Sequence, residues 1–164
     1  KPMLAVESDG SLQLNLQELA TLVSQDLPIC LFIMNNDGYA SIRNTQRNYF
    51  EGRYVGSGPA SGLVMPDLEK VAATYGLPFL RITDAKGLAD QLRHAQALPR
   101  PCLIDVQLVT DESLQPKCAA IPRPDGSIVS MPLEDMSPLL PLDTLAAEML
   151  IPLLPASVQA REHS

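Results

Sequence analysis

Ile29 to Met34 is an unbroken apolar run, Ile-Cys-Leu-Phe-Ile-Met, set between Pro28 and the polar quartet Asn35-Asn36-Asp37-Gly38. A strand that is apolar on both faces needs cover on both faces. A parallel sheet packed between two layers of helices provides it, whereas a half-exposed strand would alternate polar and apolar residues. The flanking sequence fits that frame. Met3 to Glu7 is a short strand candidate closed by Ser8-Asp9-Gly10. Ser11 is placed to cap a helix running to about Gln25, with Leu12, Leu16, Leu19, Ala20 and Val23 on one face. Pro66 and Asp67 open a second helix that ends at about Tyr75, with Gly76 as its stop. Pro78 to Ile82 is a third strand, Asp84 to about Leu98 a third helix loosened at Gly87, and Pro101 to Leu108 a fourth strand. A Gly- and Arg-bearing loop covers roughly residues 47 to 64. The alternation predicts an α/β fold: a three-layer parallel sheet flanked by helices, with right-handed crossovers.

Composition narrows the partners. With 19 acidic against 12 basic residues and a net charge of −7, the chain is a poor match for a phosphate backbone, which is gripped by clustered Lys and Arg. No apolar run is long enough to span a bilayer. The three cysteines, Cys30, Cys102 and Cys118, form no Cys-x-x-Cys and point to reduced thiols in a cytoplasmic protein. Most of the 15 prolines lie from Pro99 onward. Residues 1–108 therefore read as the compact core, and 109–164 as a Pro-rich C-terminal extension of the same domain with one helix. Starting on Lys1 and running straight into a strand, the sequence reads as a piece of something longer.

In open parallel sheets, ligands sit beyond the carboxyl ends of the strands. Two polar turns follow strands at that end, Ser8-Asp9-Gly10-Ser11 and Asn35 to Gly38, one strand–helix–strand unit apart. The first offers a carboxylate; the second offers an amide oxygen and, at Gly38, a bare carbonyl. Such hard oxygens suit Mg²⁺ or Ca²⁺, and Mg²⁺ completes its shell with phosphate oxygens and water. The first turn also opens a helix, whose leading N–H groups and dipole favour an anion. Either turn alone is unspecific; the pair at this spacing is what a metal-bridged diphosphate needs.

Glu7-Ser8-Asp9-Gly10-Ser11, Asn15 to Thr21, Leu27-Pro28-Ile29 and Asn35-Asn36-Asp37-Gly38-Tyr39, with Ile42, Arg43 and Gln46 beyond, closely resemble the thiamine-diphosphate signature of acetolactate synthase-like enzymes. Pro66-Asp67-Leu68, Ala72 and Tyr75-Gly76 resemble the next helix of the same domain, and Leu133 to Pro138 the family's C-terminal segment. The resemblance implies a thiamine-diphosphate-binding fold, incomplete at its N-terminus. It implies that Asp9, the Asn36 side chain and the Gly38 carbonyl bind Mg²⁺. It implies that Ser8, Gly10 and Ser11 line the thiamine diphosphate, Gly10 and Ser11 through backbone N–H groups, and that Tyr39 and Ile42 lie near cofactor and substrate. One departure is Ser8, where the family has Gly; a side chain there crowds the diphosphate if φ is positive. The other is that the pyrimidine-binding domain, with its cofactor-activating glutamate, is not in this sequence. The resemblance places it on a second subunit of a homo-oligomer. The expected activity, for the longer parent, is that of a lyase or transferase working on 2-keto acids or other carbonyl substrates, with no catalytic residue in this chain.

Other features weigh less. The Gly56 to Gly62 stretch misses the dinucleotide spacing by one position and reads as a flexible loop. Arg43, Arg47 and Arg53 are candidates for a substrate carboxylate, Arg43 first because it follows the Asn turn. Cys30 and Cys102 read as core, His94 as surface, Glu18 as structural, and Leu139 to Leu154 as a covering segment with exposed apolar surface that favours self-association. The alternative function is a catalytically silent Mg- or nucleotide-binding module with an assembly role; a plain structural domain is the third.

Overall fold

The structure, a computed structural model, describes residues 1–112, 115–118, 120–122 and 125–162. The chain divides into two compact units, Lys1–Glu112 and Ser113–Ser164.

In the first unit four strands, β1 (Met3–Ser8), β2 (Ile29–Asn35), β3 (Phe79–Ile82) and β4 (Cys102–Gln107), form an all-parallel sheet in the order β1-β2-β4-β3. Five helices accompany them: α1 (Asp9–Leu14), α2 (Leu19–Ser24), α3 (Ala40–Tyr49), α4 (Leu68–Tyr75) and α5 (Leu88–Ala97). The predicted α/β architecture, a parallel sheet flanked by helices, is present. Side chains alternate along a strand, and this gives the sheet two cores. Ile33 and Leu103 face Leu12, Leu19, Leu68, Ala72 and Leu77. Cys30, Cys102, Ile104 and Ile82 face Ala95, with Phe32 and Leu98 packed alongside. Burial of each such Leu or Ile contributes about 1.5–3 kcal/mol, and the two-sided run in β2 is what makes both layers necessary.

Three expectations about local structure are corrected. Ser8, not Ser11, caps the first helix: its hydroxyl accepts from the Ser11 N–H at 3.2 Å, so Ser11 is the third helical residue. The helix expected to run unbroken to Gln25 stops at Asn15, passes through a 3₁₀ turn at Leu16–Glu18 and resumes as α2; Asn favours turns over helix interiors because its side chain competes for backbone groups. A helix, α3, occupies residues 40–49, partly inside the expected loop. A smaller shift is that α5 begins only at Leu88, after Gly87 in the left-handed region at φ 65.

The second unit holds more structure than an extended tail with one helix. β5 (Ala120–Pro122) pairs antiparallel with β6 (Ile128–Ser130), and two helices follow, α6 (Leu142–Glu148) and α7 (Pro155–Glu162). Glu134 Oε1 accepts from the Leu154 N–H at 2.7 Å and the Ser157 hydroxyl at 2.8 Å, tying the first turn of α7. Asp135, almost fully buried, pairs with Arg161. Between the helices Leu150, Ile151 and Leu154 are exposed. Among the described residues no helix is long and apolar enough to cross a membrane.

β1 forms one edge of the sheet, and Met3, Leu4 and Val6 on it are more than half exposed. At the centre, Cys30 and Cys102 stand opposite each other on β2 and β4, both free and buried. Burial pushes the Cys102 thiol up to about 12, helped by its neighbour Cys30. The thiolate is the reactive form, so a thiol reagent at pH 8 should label one cysteine, the exposed Cys118, and all three only after denaturation. Mass spectrometry of the native protein checks this; rapid double or triple labelling would show that the sheet centre opens. The same shift has a sign. Folding favours the neutral thiol of Cys102, so its contribution is intact below about pH 9 and is lost as pH rises towards 12.

Candidate functional site

The parallel pairing of β1 with β2 brings Ser8 opposite Met34, so the turns that follow the two strands lie side by side. They are bonded to each other: the Gly38 N–H donates to Asp9 Oδ2 at 2.7 Å. Asp9 is the first residue of α1 and only 3 % exposed. Its other oxygen, Oδ1, is buried without a partner, and so is Asn36 Oδ1. An unsatisfied buried oxygen costs on the order of 1–3 kcal/mol, more when it is charged. Two of them in neighbouring turns, both hard donors, are what a divalent cation would satisfy. Among the described residues no group of three or more His, Cys, Asp or Glu side chains could hold a metal. A cation here would take one carboxylate, one amide and a carbonyl, and complete its shell from a ligand, which is the habit of Mg²⁺ rather than of a transition metal. The residues present fit Mg²⁺ carrying a phosphate.

The remaining candidates lie in the same two turns and in the helices that follow them. Gly38 has φ +125, and its carbonyl lies 3.2 Å from where a Cβ on Gly10 would stand. That same Cβ would come within 2.7 Å of the Tyr39 ring, so Gly10 is where the ring lies against bare backbone. Ser8 has φ −93, an ordinary extended conformation; the strain that a side chain at this position raised does not arise. The Ser11 N–H is already engaged by the Ser8 hydroxyl, whereas Gly10, second in the helix, has no intrahelical acceptor for its N–H. Ile42, in the first turn of α3, is 46 % exposed.

The Arg43 side chain is turned onto backbone. It is buried, and its guanidinium donates to four carbonyls: Asn36 at 2.8 Å, Asp37 at 3.2 Å, Ser57 at 2.8 Å and Thr110 at 2.7 Å. It clamps the Asn turn to the loop at Ser57 and to the chain after β4. The Gly56 to Gly62 loop is accordingly packed rather than loose: Ser57 and Gly58 are buried, and the Ser57 carbonyl also takes the Tyr39 N–H at 3.0 Å. Arg47 pairs with Asp111 at 3.0 Å and Arg53 with Glu51 at 3.1 Å. Bonding to Tyr54, then to Asp111, holds the Arg47 guanidinium above its usual range.

Sequence reading also missed Asp105. It lies inside β4, fully buried, on the face that carries Ile33 and Leu103. The signal was a single carboxylate in an otherwise apolar strand, Cys-Leu-Ile-Asp-Val. Arg81 on β3 donates to it at 2.8 Å and reaches Asp67 at 2.9 Å. Asp105 first, then Asp67, raises the Arg81 guanidinium, and Arg81 in turn holds the Asp67 carboxyl below its usual range.

The profile of the family described as "Thiamine pyrophosphate enzyme, C-terminal TPP binding domain" matches residues 1–106. The acetolactate synthase large subunit of Cyanidium caldarium is 34% identical over 117 residues, covering 71% of this chain and 20% of that protein. The corresponding subunit of Parasynechococcus marenigrum is 32% identical over 116 residues, 71% and 18%. Among solved structures, a thiamine diphosphate-dependent 4-hydroxybenzoylformate decarboxylase from Rhodococcus jostii superposes with a TM-score of 0.59 at 23% sequence identity, covering 69% of this chain and 21% of that one. The chain thus spans about a fifth of the length of these relatives. With the profile running from the start of β1 almost to the end of β4, the chain belongs to the C-terminal TPP-binding domain family of the thiamine pyrophosphate enzymes.

Proposed function

We propose that this chain holds Mg²⁺ and the diphosphate end of thiamine diphosphate within an acetolactate synthase-like enzyme that decarboxylates or ligates 2-keto acids. The observation that carries the proposal is the pair of buried, unpartnered oxygens, Asp9 Oδ1 and Asn36 Oδ1, in two turns tied together by the Asp9–Gly38 bond. Asp9, Asn36 and the Gly38 carbonyl would hold the metal. The Gly10 N–H and the α1 terminus that Ser8 and Ser11 shape would meet the phosphate, and Tyr39 and Ile42 would border the cofactor. The chemistry such a cofactor supplies when bound is electron storage beside a carbonyl. The residues of this chain bind and orient; none of them moves a proton. Activation of the aminopyrimidine belongs to a separate pyrimidine-binding domain, from a second subunit of a homo-oligomer, so these 164 residues alone are inactive. The three free thiols suit a reducing, cytoplasmic setting.

Calorimetric titration with thiamine diphosphate tests the reading. Binding is expected with Mg²⁺ and to be absent in EDTA. Metal-independent binding, or none in either condition for the chain or a longer protein containing it, would defeat the proposal in favour of a silent module.

A further inference from the structure

We propose that Asp105 is a positioning residue: through Asn35 it sets the shape of the Asn36–Gly38 turn before any metal arrives. Its relevance to cofactor binding rests on the function proposed above, but the positioning itself does not.

Asp105 accepts from Asn35 Nδ2 at 3.0 Å, from Gln107 Nε2 at 2.9 Å to each oxygen, and from Arg81 Nε at 2.8 Å. A carboxylate is an acceptor only, so it dictates which end of the Asn35 amide faces it. The NH₂ end turns inward, and the oxygen is left to point along the chain. There Asn35 Oδ1 accepts from the Asp37 N–H at 3.2 Å, closing the side-chain-to-backbone turn that Asn makes two residues ahead. Inside that turn the chain takes two successive positive φ values, 64 at Asp37 and 125 at Gly38. The turn at Asp37 carries the next peptide round so that the Gly38 N–H meets Asp9. Reversing the Asn35 amide would set its NH₂ against the Asp37 N–H, donor to donor, and remove the closure.

Strand register makes the link possible. Ile33 on β2 and Arg81 on β3 both pair with Asp105, and Asn35 pairs with Gln107. All these polar side chains therefore share one face, at the end of the sheet where the turns lie. A buried carboxylate at the centre of a parallel sheet is costly unless every oxygen is used, and one of the uses made here leads directly to the metal turn. Arg43 pins the same turn through the Asn36 and Asp37 carbonyls, so the turn is held at two points.

Amide hydrogen exchange at Gly38, measured without metal or cofactor and scaled to the slowest core amides, tests the link. The scaling cancels a global loss of stability. Asp105→Asn should speed Gly38 exchange roughly tenfold, as expected for loss of a bond to a charged group. Asn35→Asp keeps the acceptor for Asp37 but sets carboxylate against carboxylate, and should do the same. Combining the two substitutions exchanges the groups: the amide then on β4 can donate to the carboxylate then on β2, while its oxygen still accepts from Arg81. Gly38 exchange should return to within about threefold of the parent chain, a non-additive rescue. Unchanged exchange in both single variants, or an additive, roughly hundredfold effect in the double, overturns the proposal. If Asp105→Asn does not fold, Asn35→Asp and the double variant decide it. In a second arm, the apparent Mg²⁺ affinity in the presence of thiamine diphosphate should fall about tenfold in Asp105→Asn. Should the parent chain show no such binding, the proposed function fails, while the exchange data still decide the role of Asp105.

Discussion

Asp9→Asn should move stability and binding in opposite directions. The amide keeps an oxygen for the Gly38 N–H and removes a buried charge that has one oxygen unpartnered. In EDTA the thermal midpoint is therefore expected to hold or rise, by up to about 2 kcal/mol of stability. Thiamine diphosphate affinity in Mg²⁺ should fall by roughly 100-fold or more, because the carboxylate of the proposed metal site is lost. Thermal melts and titration calorimetry on one preparation check both halves. A parallel fall in both would make Asp9 an ordinary structural residue and remove the reason for placing a cation beside it.

Gly38→Ala should be the most damaging single-methyl change in the first unit. At φ +125 an L side chain is strained by about 1–3 kcal/mol. Its Cβ would also come within 2.7 Å of the Ser57 carbonyl and 3.1 Å of Arg43 and Leu63. That carbonyl is held in place by the Tyr39 N–H and the Arg43 guanidinium, so it cannot give way. A total loss of about 3–5 kcal/mol follows, with a fall of roughly 10 °C in the midpoint. Gly62→Ala is the comparison: φ is +83 but nothing lies within 4 Å, so only the backbone term, about 1 kcal/mol, applies. Equal losses at the two sites would mean that the turn and the Ser57 loop do not touch.

The sheet was legible because its signals are local and redundant. The two-sided apolar run of Ile29 to Met34 demanded a covered parallel sheet, and the turn residues at Asp9 and Asn36 marked the end where the two turns meet. α3 was not legible, since its one buried residue is Arg43 and no apolar stripe marks a helix whose inward face is a cation with its two terminal nitrogens bonded to carbonyls. The role of Arg43 was hidden for the same reason: a cation near a turn expected to hold a metal suggests an anionic partner, while four backbone carbonyls from three segments leave no mark in the sequence. Asp105 was missed because a charged residue within an apolar strand gives no sign of its partners until the register of β2, β3 and β4 is known. The cap falls at Ser8, three residues ahead of the expected Ser11, because the two serines are equivalent by composition and only the end of β1 distinguishes them.

β1 gives its inner edge to β2, while its outer edge carries Met3, Leu4 and Val6 into solvent. Such a border is a template on which any extended peptide can continue the ladder, with no gatekeeping lysine or proline inside Met3–Ser8 to stop it. Chains of net charge −7 repel one another, so added salt, which screens that repulsion, is expected to favour self-association along this border.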